Sequence, residues 1–117
     1  MSSLNAPDSG HLIDLNDLAA EFRADDLYQR KGQIARTLVH TPDLRVVIIA
    51  LAGDRTIAEH HASATVTIHC LSGRLRLQLP DRQVELAAGN LLPLGRDLPH
   101  DVHALEDSVF VLTLGTT

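Results

Sequence analysis

From Ile34 to Leu114 the chain is a succession of strand-length runs cut by turn residues, and this rhythm constrains the fold more than any other feature. The runs are Ile34–His40, Leu44–Ala52, Thr65–Leu71, Arg74–Leu79, Gln83–Ala87, Asn90–Leu94, Asp101–Ala104 and Ser108–Leu114. Between them stand Thr41-Pro42-Asp43, Gly53-Asp54, Ser72-Gly73, Pro80-Asp81, Ala88-Gly89 and Leu105-Glu106-Asp107, stretches carrying the residue types that reverse a chain. Short strands with turns about every eight to twelve residues indicate an all-β sandwich or barrel. The long helix-period segments that a parallel α/β sheet requires do not occur between the runs.

Two runs show how the strands are buried. In Arg74–Leu79 three leucines alternate with polar side chains, the pattern of a strand with one face on the core. Leu44–Leu51 is apolar at nearly every position after Arg45, which predicts burial of both faces. The interior covers one of them. Either a partner subunit or the N-terminal segment covers the other, and a homodimer is the expectation.

Ahead of the strands, residues 1–10 read as a flexible tail and 11–33 as an N-terminal arm, with the β-barrel spanning 34–117. The arm predicts a short strand at Leu12–Leu15, a helical turn capped by Asn16 or Asp17, and an exposed connector over residues 24–33. A length of 117 residues suits one domain. The net charge of −5 and the absence of a basic run argue against a nucleic-acid partner. The lone Cys70 excludes an intramolecular disulfide, and the first ten residues lack the basic start and apolar run of a secretory signal. The longest apolar stretch, Val46–Ala52, has seven residues, against roughly 20 for a membrane-crossing helix. The expectation is a soluble, cytoplasmic protein with no membrane partner.

Five histidines, His60, His61, His69, His100 and His103, fall among the runs from Gly53 onward or at their ends. Neutral imidazole is the commonest transition-metal ligand, and ligands from different strands can surround one ion. His60 and His61 are neighbours, so on an extended strand they point to opposite faces. His69 shares a face with Thr67, opposite Val66, Ile68 and Cys70. Ordinary burial turns that apolar set inward, whereas a strand packed on both sides can turn His69 toward the cavity, and both arrangements stay open. His103, three residues beyond His100, takes the opposite face of its strand and reads as a surface residue.

Two glycine-framed segments organise these histidines. In the second, Gly89 is followed by five residues, Gly95-Arg96-Asp97, two residues, His100, three residues and Ala104. In the first, Gly53 precedes Glu59-His60-His61, then Val66 or Thr67, then Gly73. These frames resemble the two motifs of the cupins, RmlC-like jelly-roll β-barrels in which each motif supplies part of a metal site at one end of the barrel. The second frame keeps the family spacing, its first glycine and its histidine. Gly95 stands in the proline position, Asp97 in the following glycine's and Ala104 in the asparagine's, while Pro99-His100 resembles a pair found in many cupins. The first frame reads in two registers, one offering Glu59 and His61 with Val66 where the family has glutamate, the other offering His60 with Val66 or Thr67 there.

The resemblance implies a small single-domain cupin that binds a small molecule, with a divalent transition metal (Zn, Fe, Ni, Cu or Mn) held by His60, His69 and His100. His61 and Glu59 are the secondary candidates. Dioxygenase-like or isomerase-like activity is what it implies for an enzyme, and no catalytic residue is assigned. The alternative is a non-catalytic, metal-free barrel that binds or senses a small ligand, consistent with the missing glutamate. Other chemistries lack support: no serine sits in a nucleophile elbow, the glycines form no phosphate-binding pattern, and Phe22, Tyr28 and Phe110 are the only aromatics.

Overall fold

The computed structural model describes residues 9–60 and 63–115, Glu59 and His60 by their backbone alone. The described residues form helices α1 (Leu15–Ala24) and α2 (Asp26–Lys31), followed by strands β1 (Gln33–His40), β2 (Leu44–Leu51), β3 (Thr56–His60), β4 (Thr65–Ser72), β5 (Arg74–Gln78), β6 (Gln83–Ala87), β7 (Leu91–Leu94), β8 (His100–Ala104) and β9 (Ser108–Gly115). The strands pair antiparallel in two sheets, in the orders β1-β2-β9-β4-β7 and β3-β8-β5-β6. The eight strand runs read from the sequence are present with small shifts at their ends. β3 is an addition, and most of the 1–10 tail lies outside the described residues.

The sheets enclose one aliphatic interior. Val47, Ile49 and Leu51 of β2, Val66, Ile68 and Cys70 of β4, Leu75 and Leu77 of β5, Val102 and Ala104 of β8 and Phe110 of β9 pack together in it. Alternation dictates the arrangement, since in these strands every second side chain faces the core. The three leucines of the Arg74–Leu79 run, Leu75, Leu77 and Leu79, are buried in it.

β2 is buried on both faces, and the second covering comes from the chain itself. Ala19, Phe22 and Tyr28 of the two helices pack against Ile48 and Ala50 of β2 and Val109 and Val111 of β9. Of the two covers that the sequence left open for this face, a partner subunit or the N-terminal segment, it is the N-terminal segment that lies over it. The arm also differs from expectation in detail. Leu12–Leu15 forms no strand; Asp14 caps α1, its carboxylate accepting from the Asp17 N–H at 3.0 Å. The supposed connector is α2, capped by Asp25 through the Leu27 N–H at 2.7 Å and ended by Gly32 at φ 74°. Arg36 lies over the outer side of this cluster, 5.3 Å from the Phe22 ring centroid. None of the described helices is long and apolar enough to cross a membrane.

Candidate functional site

One end of the sandwich gathers the β3 C-terminus, the start of β4, the segment between β7 and β8, and His100 at the start of β8. The turn before His100 sets its position. Asp97, in the position of the motif glycine, takes φ 62°, a left-handed conformation that Asp tolerates better than most residues. The Leu98 N–H donates to the Gly95 carbonyl at 3.3 Å, and Arg96 Nη1 donates to the Ser63 carbonyl at 2.8 Å, tying this turn to the segment ahead of β4. Pro99 then fixes φ and delivers the chain into β8.

On β8, His100, Val102 and Ala104 are buried and Asp101 and His103 are not. Because Val102 and Ala104 face the interior, so does His100, which is 2% exposed. Its Nδ1 lies 3.0 Å from the Leu98 carbonyl. A carbonyl can only accept, so in the neutral ring Nδ1 carries the proton and Nε2 the lone pair. Around this end the aliphatic core gives way to the partly buried Ile57, Leu98, Leu112 and Leu114.

The remaining histidines are placed differently. The Cα of His60 is paired across the strands with that of His100, after a register shift beyond Ile57, so the backbone of β3 brings these two positions together. Glu59 belongs to the same strand by its backbone. His61 lies outside the described residues. His69 is the correction: Val66, Ile68 and Cys70 fill the interior, so alternation turns His69 to the outer face of the larger sheet, opposite Val111 and Leu91. Its side chain is not brought to His100. His103 is on the outer face of the smaller sheet, with Nδ1 2.6 Å from Thr56 Oγ1 and Nε2 3.9 Å from the Asp54 carboxylate.

Of the positions that the motifs imply for a metal, the described side chains include those of His100, His69 and Val66, and these three do not form a shell. Val66, one of the two residues that the first frame puts in the glutamate position, is 3% exposed within the aliphatic core, against Leu94 and Leu114 of the neighbouring strands. His69 faces away, and no group of three or more His, Cys, Asp or Glu that could hold a metal occurs among the described residues. Cys70 behaves as a small hydrophobe: it is fully buried, and desolvation pushes its thiol up from the ordinary range. Sequence reasoning missed the apolar rim side chain Ile57 because β3, Thr-Ile-Ala-Glu-His, has too few branched or aromatic residues to announce a strand.

No protein-family model matches the sequence, and neither does any curated protein. Solved structures do. A conserved protein of unknown function from Streptococcus pyogenes has a TM-score of 0.73 at 20% identity, covering 100% of this chain and 96% of that one. An RmlC-like cupin from Shewanella frigidimarina gives 0.69 at 14% identity, over 74% of this chain and 78% of that one. A single-site mutant of salicylate 1,2-dioxygenase from Pseudoaminobacter salicylatoxidans gives 0.76 at 12% identity, over 87% of this chain and 34% of the dioxygenase.

Proposed function

Because this chain is a small domain of the RmlC-like cupin fold, we propose that it binds a small organic molecule end-on at the barrel mouth, with His100 as the polar anchor. The observation that carries the reading is an imidazole buried to 2% exposure on an interior face otherwise built of aliphatic side chains. Small-molecule sites are largely apolar, with a few placed polar groups that orient the ligand. The Leu98 carbonyl holds the ring by Nδ1 and makes Nε2 its basic atom.

Binding or sensing is the primary reading, because Val66 lies in the aliphatic core and His69 is on the outer face of its sheet, away from His100. A second, catalytic reading is an isomerase-like transfer in which the His100 imidazole takes a proton from one atom of the substrate and returns it to another.

Thermal unfolding of the wild type and of His100→Ala, measured across a panel of small organic acids, amides and alcohols, tests the proposal. The expected result is saturable stabilisation by one chemical class, rising toward about 2.7 kcal/mol at a hundredfold excess over Kd, and its loss in His100→Ala. Stabilisation that survives intact in His100→Ala overturns the assignment of the anchor.

A further inference from the structure

At the other end of the molecule from His100, where β8 has run its length, the 105–107 turn and the 52–55 segment meet the N-terminal helices. Between them opens a cleft of about 540 Å³ lined by Arg23, Tyr28, Gln29, Arg55 and Asp107 among others. Its charged groups come from three separate parts of the chain. Arg23 projects from α1, Arg55 from the turn before β3, and Asp107 from the turn before β9. Two guanidiniums and one carboxylate line it, so the cleft wall carries an excess of positive charge in a chain whose net charge is −5.

The groups are held for different tasks. Asp107 is engaged by the backbone, its Oδ1 accepting from the Gly53 N–H at 2.8 Å. Arg23 makes one long contact, Nη2 to Ser72 Oγ at 3.4 Å, which leaves most of its five N–H donors available. Arg55 has no hydrogen-bond or ion-pair partner for its guanidinium among the described residues, although its shaft packs at Gly32, where an added Cβ would come within 2.7 Å of Nε. Tyr28 is 8% exposed and anchored in the helix cluster. Burial first, and then the negative charge of Asp107, hold its phenol above the ordinary value, so the hydroxyl keeps its proton and can donate.

We propose that this cleft binds a small molecule through an oxyanion, a carboxylate or a phosphate, gripped by Arg23 and Arg55 with the Tyr28 hydroxyl as a third donor. Guanidinium forks match such groups in shape as well as charge. The site is separate from the histidine end and does not depend on the reading of His100.

Tyr28 is the only tyrosine in a chain with no tryptophan, so its emission reports on the cleft directly. Inorganic phosphate and acetate are titrated at constant ionic strength, with chloride as the control. A saturable change in Tyr28 emission is expected with phosphate, acetate or both. Apparent affinity should weaken roughly tenfold or more in Arg55→Ala and in Arg23→Ala, the loss of a charge-assisted hydrogen bond, and stay unchanged in His100→Ala. Both arginines are exposed, and circular dichroism checks that their variants keep the fold. Saturation by phosphate alone identifies a phosphate site, and saturation by acetate a carboxylate site. No saturation with either anion, or equal affinity in the arginine variants, overturns the proposal.

Discussion

Single residues at the two ends of this barrel show which positions a sequence can reveal. His100 was legible because intact spacing from Gly89 and the local Leu98-Pro99-His100 both mark it, and the structure adds the carbonyl that fixes its tautomer. His69 was ambiguous because its strand is covered on one face and partly covered on the other, so period two gives two sets of residues but not which set turns inward; the aliphatic set won. Gly73 carries a clear prediction. At φ 85° it lies in the left-handed region, and a Cβ there would collide with the Asp107 carbonyl and Ser108 Oγ and come within 2.7 Å of Ser108 Cα. Ser108 cannot retreat: it is 1% exposed, accepts from the Arg74 N–H at 3.0 Å and donates to the Glu106 carbonyl at 2.8 Å. Gly73→Ala should therefore lower stability by more than about 1 kcal/mol in urea unfolding.

Among elements, the long strands announced themselves through alternation and turn chemistry, and the helices did not. α2 is six residues, too short for a periodic pattern to stand out, and it owes its existence to the Asp25 cap, the Gly32 stop and the seating of Tyr28 on β2 and β9. The continuous apolar run of β2 correctly predicted two covered faces, yet composition alone could not say whether a partner or the chain's own arm lay on the second. Phe22 joins α1 to that face at 1% exposure. Phe22→Ala should cost about 3–5 kcal/mol, because it removes a buried ring whose cavity the sheet beneath cannot close. The interior beside His100 is built by other residues, so ligand-induced stabilisation at the mouth should persist in this variant. Its loss would show that the helices and the mouth act as one unit.

For the whole molecule, a jelly-roll of two sheets holds its chemistry at the ends of the strands, where loops converge and the packed interior stops. One end presents a buried imidazole in an aliphatic setting and the other an open cationic cleft. The fold was readable because many weak signals from turns, alternation and motif spacing agree. The site was less readable because a metal shell depends on which face each histidine takes, and a shift of one residue reverses that. The central claim, that the mouth is an organic pocket anchored by His100 in place of a metal centre, is tested most directly by elemental analysis of untagged protein purified without chelator and then incubated with Zn, Ni, Fe and Mn salts, beside His100→Ala treated alike. The account predicts metal well below one equivalent in both proteins. Near-stoichiometric metal in the wild type that disappears in His100→Ala would contradict it.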